Sequence, residues 1–85
     1  MNITIVYFAA LREALGTDRE EVRLPGGIAS AGDLRAWLGG RGEPWGEALG
    51  QGRNVQVAVD QVLGDAATPL REGAEVAFFP PVTGG

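Results

Sequence analysis

The sequence predicts an α+β domain, a mixed sheet of about five strands packed on one main helix with short helices beside it. Three observations predict it. The chain has 85 residues, enough for one small hydrophobic core. Its apolar content is 45% and its charged content 21%, the balance of a folded chain rather than a disordered one. Segments with the two-residue period of strands outnumber those with helical spacing. Their order is strand, helix, strand, helix, strand, short strand, strand, which suits a sheet covered by helix on one face.

The opening stretch from Asn2 to Phe8 is β-branched and aromatic, the composition of a strand, with Ile3, Ile5 and Tyr7 sharing one face and Thr4, Val6 and Phe8 the other. From Ala9 to Leu15 the spacing becomes helical, Leu11 and Leu15 lying one turn apart, and Gly16 is placed to end the helix. Glu20 to Leu24 alternates as a second strand with Val22 and Leu24 inward, stopped by Pro25-Gly26-Gly27. Ser30 is a good N-cap for the main helix, and Asp33 favours the positive end of its dipole. Leu34 and Leu38 supply its apolar stripe with Trp37 beside it, and Gly39-Gly40 closes it. The Gly-rich stretch 41–53 contains Pro44, Trp45 and Leu49, read as a short turn that lids the core. Val55, Val57 and Val59 alternate in a third strand, Gln61 to Leu63 is a short edge strand, and Ala74 to Phe79 is the last full strand. The first two strands are joined through a short helix only, so the expected architecture is a β-grasp, a sheet wrapped around one helix. Residues 1–79 form this domain and residues 80–85 an extended tail.

If Ile3, Ile5, Tyr7, Val57, Val59, Val76 and Phe78 point at the helix, then Val6, Phe8, Ala58, Ala77 and Phe79 point away, with Leu63 extending the set. A solvated sheet face alternates apolar with polar residues, and this one does not. Two readings account for it: a contact surface for a partner, which the composition favours, or cover by the loop of residues 39–53.

Composition also restricts the chemistry. The chain has no cysteine and no histidine, and its seven basic residues are all arginine. Thiolate catalysis, most zinc sites and the usual neutral-pH base are thereby excluded. A net charge of −4 argues against a nucleic-acid partner. No stretch approaches a membrane span and no signal peptide is visible, so a cytoplasmic location is expected, with no membrane partner.

That leaves the tail, Pro80-Pro81-Val82-Thr83-Gly84-Gly85. The two prolines cannot continue a strand ladder and stiffen the exit as polyproline II. Gly84 and Gly85 lack Cβ and can thread a narrow slot. The group they present is the carboxylate of Gly85. A carboxylate is a poor electrophile and needs activation, most plausibly as an acyl-adenylate made from ATP, yet the chain has no phosphate-binding loop. An activating enzyme must supply that step. With 14 glycines in 85 residues, chance alone gives a diglycine end in roughly one chain in forty. The diglycine therefore gains its meaning from the diproline stalk and the apolar face beside it.

The run from Glu75 through Phe78-Phe79-Pro80-Pro81-Val82-Thr83 to Gly84-Gly85 closely resembles the C-terminus of the small subunits of molybdopterin synthase, a family within the ubiquitin-like β-grasp sulfur carriers. Tyr7 to Glu13, Val57 to Gln61 and Pro69 to Gly73 fit the same family. Gly39 to Arg53 matches only in outline, and the added glycines at 26–27 and 39–42 depart from the family pattern. The resemblance implies that an E1-like adenylyltransferase activates Gly85, and that sulfur from a donor protein replaces the adenylate to give a thiocarboxylate. It further implies that the tail, Gly84 included, enters the large synthase subunit and donates sulfur to cyclic pyranopterin monophosphate, two transfers building the dithiolene. The implied assembly is a heterotetramer of two small and two large subunits, with this chain inactive alone and binding no cofactor of its own; ATP belongs to the activating enzyme. Phe8, Leu63, Phe79, Pro80, Pro81, Val82 and Thr83 are the implied partner-binding residues. The rival readings are a sulfur carrier for thiamine thiazole or tRNA thiolation, and a ubiquitin-like protein modifier.

Overall fold

The computed structural model describes residues 1–50 and 52–81. Its elements are β1 (Asn2–Tyr7), α1 (Ala9–Leu15), β2 (Arg19–Arg23), α2 (Ala31–Gly39), α3 (Trp45–Leu49), β3 (Gln56–Val59), β4 (Val62–Leu63) and β5 (Glu75–Phe79). The five strands form one sheet in the order β2-β1-β5-β3-β4. β1 and β5 run parallel at its centre, and every other pairing is antiparallel. The mixed α+β sheet is the expected one.

The alternation read in the sequence sorts the side chains as anticipated. Ile3, Ile5, Tyr7, Val57, Val59, Val76 and Phe78 are all buried, together with Leu11, Leu15, Leu34, Leu38 and Leu49 from the three helices. Register aligns them in rows: Tyr7 with Phe78 and Val57, Ile5 with Val76 and Val59. The helices are delimited by the residues assigned to that task. Gly16 ends α1 at φ 72°, its N–H donating to the Arg12 carbonyl. Ser30 and Asp33 form a full capping box on α2: the Asp33 N–H donates to Ser30 Oγ at 3.1 Å, and the Ser30 N–H to Asp33 Oδ2 at 3.2 Å.

The Gly-rich stretch contains a five-residue helix, α3, rather than a turn, and it lies on the helix side of the sheet. Leu49 is buried in the core, and the Trp45 ring sits 5.6 Å from that of Tyr7. Arg35 of α2 holds the end of this segment, donating from Nε to the Leu49 carbonyl at 2.8 Å and from Nη2 to those of Gly50 (3.0 Å) and Arg53 (2.7 Å). On its other side, the Arg41 guanidinium lies between the rings of Trp37 and Trp45, at 4.9 and 4.8 Å from their centroids. Arg41 is bonded at 3.0 Å to Glu20 of β2, which also accepts the Tyr7 hydroxyl at 2.8 Å. Burial, and then the Glu20 carboxylate, hold the Tyr7 phenol far above its ordinary value, so it stays a neutral donor. The alternative in which residues 39–53 cover the far side of the sheet is thereby overturned: the same segment roofs the core.

Six strand boundaries differ by one residue from those read in the sequence; β2 starts at Arg19, β3 at Gln56 and β5 at Glu75, and the other three change a residue's role. Phe8 leaves the strand and serves as the N-cap residue of α1. Leu24 follows β2 rather than belonging to it, although it is buried as expected. Gln61 is not in the edge strand. Asp60 and Gln61 have φ of 50° and 69° and form the two-residue turn between β3 and β4, a geometry that matches the twist of paired strands. The turn is tied down by Asp60, whose Oδ1 accepts the Glu75 N–H at 3.0 Å. That bond, helped by Arg71, keeps the Asp60 carboxyl below its ordinary range.

Candidate partner surface and tail root

On the side of the sheet away from the helices, register places Val6, Ala77, Ala58 and Leu63 in one row across β1, β5, β3 and β4. Phe8 and Phe79 continue this face at the end of the sheet where β5 finishes. Phe8 is 47% exposed and Leu63 66%, whereas Val6, Ala58, Ala77 and Phe79 are half-buried by their neighbours in the sheet. Small residues at the centre and large ones at the margins make a shallow apolar surface, and none of the three helices among the described residues lies over it. Phe8 projects because the chain turns sharply after it: its N–H still donates to the Phe78 carbonyl at 3.1 Å, while Ala9 takes φ 52° to start α1.

The root of the tail borders this surface. Phe79 pairs with Gln56 as the last residue of the ladder, and Pro80 and Pro81 follow outside any strand. Pro80 also lines a cleft of about 440 Å³ together with Ala10 and Ala14 of α1, Glu47 and Ala48 of α3, and Arg53. The structure thus places Phe8, Leu63 and Phe79 on the outer face, while Pro80, at the end of the sheet where β5 finishes, borders the cleft on the helix side. Val82, Thr83, Gly84 and Gly85 lie outside the described residues.

Sequence reasoning missed two features here. Val62 is 68% exposed at the sheet edge, although its pairing with Val59 assigns it to the helix-side row. The cleft beside Pro80 was also unread, since it depends on where α3 packs. Among the described residues no group of acidic side chains is arranged to hold a metal ion, and no helix is long and apolar enough to cross a membrane.

A protein-family model described as the ThiS family matches residues 5–85. The chain belongs to that family. Among curated relatives, this ThiS-family chain is 42% identical over 83 residues to the molybdopterin synthase sulfur carrier subunit of Escherichia coli, covering 98% of this chain and 99% of the relative. Among solved structures, it is similar to a molybdopterin converting factor subunit 1 from Pyrococcus furiosus, described as putative, with 32% identity and a TM-score of 0.78 over 96% of this chain and 99% of that one. It also resembles a chain in the complex of subunits 1 and 2 of molybdopterin-converting factor from Helicobacter pylori, with 26% identity, a TM-score of 0.68 and full coverage of both. The ubiquitin-like β-grasp expected from the sequence is the fold of this family member.

Proposed function

We propose that this chain is the sulfur carrier subunit of a molybdopterin synthase, working in the cytoplasm. The observation that carries the reading is the placement of Pro80 and Pro81. They follow the central strand β5 at the margin of an apolar row that no helix among the described residues covers, in a chain similar from end to end to sulfur carrier subunits. The apolar face and the stalk are the parts a docking carrier requires: a surface to bury against the large subunit, and an arm that extends past that surface into the partner's active site.

In this reading the chain supplies no acid, base or metal. An E1-like enzyme binds the same end of the molecule and joins the Gly85 carboxylate to AMP, releasing pyrophosphate from ATP. Sulfur from a donor protein then displaces AMP, leaving a thiocarboxylate on Gly85. The stiff prolines hold the arm away from the sheet, and Gly84 and Gly85 pass through a channel that admits only backbone. The thiocarboxylate gives its sulfur to cyclic pyranopterin monophosphate in the large subunit, and two such deliveries complete the dithiolene. The carrier is released with its carboxylate restored, ready for another round. The assembly is a heterotetramer of two small and two large subunits. No cofactor resides on this chain.

Intact mass spectrometry tests the reading. After incubation with the activating enzyme, ATP and a sulfur source, a species with sulfur in place of one oxygen at Gly85 is expected. A version with one residue appended after Gly85 stays folded and unconverted. Failure of the native chain to convert sinks the reading. Conversion followed by transfer only to a thiazole synthase or to tRNA, or isopeptide linkage to other proteins, assigns the chain to a rival pathway.

A further inference from the structure

The sheet has two edges, and they are guarded differently. At the β2 edge the register turns the main-chain groups of Arg19, Glu21 and Arg23 outward, and all three residues are exposed and charged. Charges along an edge discourage pairing with another strand. The opposite edge is β4, which has two residues and pairs with β3 at Ala58 and Val59 alone. The chain stays beside β3 as far as Gly64, whose N–H donates to the Val57 carbonyl at 2.9 Å, and then turns away.

Below that point the edge of β3 is open. The Asp60 N–H donates to the Glu75 carbonyl, which fixes the alternation: Gln56, Ala58 and Asp60 face β5, so Val55, Val57 and Val59 face the edge. Among the described residues, the Val57 N–H and both main-chain groups of Val55 have no hydrogen-bond partner. Val57 is buried and Val55 half-buried, and an unpaired main-chain group is costly in such places. The stretch of Val55, Gln56 and Val57 carries no charge to guard it.

These three residues line a cleft of about 250 Å³, bounded by the start of α2 and the bend at residues 64–66. Its walls there are Ala31, Gly32, Gly64 and Ala66, small residues that leave room for a main chain. Two charged side chains also line it, Asp65 and Arg35. Asp65 is engaged by its own bend, its Oδ1 accepting the Ala67 N–H at 2.9 Å. Arg35 commits Nε and Nη2 to the carbonyls of Leu49, Gly50 and Arg53, and its Nη1 has no partner among the described residues.

We propose that this slot receives an extended segment of a partner protein, which adds to β3 as a strand and sets a carboxylate side chain against Arg35. The main chain of such a segment supplies the hydrogen bonds that Val55 and Val57 lack. The carboxylate adds a charge-assisted bond at Nη1. Because α2 and the 64–66 bend flank the slot on either side, it admits one extended chain and not the edge of a second folded copy. The inference stands apart from the sulfur-carrier reading, whose failure would leave it untouched.

The test leaves the native chain unaltered and varies the ligand. A capped peptide of about seven residues, strand length, alternates threonine with valine and carries glutamate at its centre. It is titrated to millimolar concentration into the isotope-labelled chain and followed by amide NMR. Shifts are expected at Val55, Val57, Gly64, Asp65 and Ala66, with slowed hydrogen exchange at Val57. A strand pairs through one edge at a time. N-methylation of one alternate set of peptide residues therefore abolishes the shifts, and N-methylation of the other set leaves them. Lysine in place of the central glutamate weakens binding about tenfold. The inference is overturned by an absence of shifts at these amides, by equal loss from both methylated sets, or by equal binding of the lysine peptide. Shifts centred on Val6, Ala77 and Leu63 overturn it in favour of the outer face. Concentration-dependent shifts at Val57 without peptide overturn it in favour of a second copy.

Discussion

The two faces of this sheet are made by the same strands, residue by alternate residue, but the inner one is apolar almost throughout while the outer one sets Thr4, Arg19, Glu21 and Glu75 around an apolar row, and among the described residues only the inner one lies under helices. On the inner face Ile5, Val76 and Phe78 are at most 1% exposed, sealed under α1, α2 and α3. On the outer face Val6, Ala77, Ala58 and Leu63 form a row that no helix among the described residues covers. Residue size separates them further. The inner face uses large side chains that interlock with leucines from the helices, whereas the centre of the outer face is alanine, flat enough for another protein to sit on. Hydrophobicity by itself therefore does not say where a core is. The inner face stabilises this fold, and in the proposed function the outer face stabilises an assembly.

Four substitutions test that division. The largest effect belongs to the inner face. Phe78→Ala removes a fully buried ring and is expected to cost about 3–5 kcal/mol in urea unfolding, a large part of the roughly 4–13 kcal/mol available to a domain of this size. A cost below about 1 kcal/mol would break the comparison. Leu63→Asp, on the outer face, is expected to leave unfolding within about 0.5 kcal/mol of the native value. Calorimetric titration with a large subunit should weaken by about 2 kcal/mol, roughly thirtyfold in Kd, because the carboxylate is buried unpaired at the contact. Equal affinity for native and variant chains would remove the outer face from the interface.

The smallest effect concerns the capping box of α2, which holds the helix that covers the inner face. Ser30→Ala is expected to cost about 1 kcal/mol. The Asp33 carboxyl is held below its ordinary 3.8, first by the N–H of Ala29 and then by Ser30. Because its pKa is lower in the folded state, its contribution is complete above that ordinary value and is lost as pH falls through the folded one. The gap in melting temperature between native chain and Asp33→Asn should accordingly narrow from pH 7 to pH 3. A gap that widens in acid contradicts the bond pattern.

Much of this was legible in the chain because it is local. Gly16 ending α1, the Ser30–Asp33 box and the alternation of β1 and β5 each depend on neighbours within a turn or a strand. The misreadings also have local causes. Gln61 continues the alternation of Val57 and Val59 and so reads as strand, and only its positive φ beside Asp60 assigns it to the turn. Phe8 has strand composition, but the sharp bend at Ala9 makes it the helix cap and leaves its ring exposed. The apolar outer row was readable as a set because period-two alternation places Val6, Ala58 and Ala77 together. The cleft at Pro80 was not, since α1, α3 and β5 meet there from distant parts of the chain.

The sequence by itself determined most of the strands and helices, the alternation that separates two sheet faces, the absence of any amine, thiol or imidazole side chain, and a diproline-to-diglycine tail. These follow from residue type and short spacing. The tertiary structure decided that β1 lies parallel to β5, so that Phe8 and the tail root share one end of the molecule. It also decided that the segment carrying α3 roofs the core rather than the outer face. That choice depends on Trp45 packing against Tyr7, Leu49 entering the core and Arg35 binding three carbonyls of the segment. Such contacts join residues far apart in the chain, and no local pattern specifies which side of a sheet they will take.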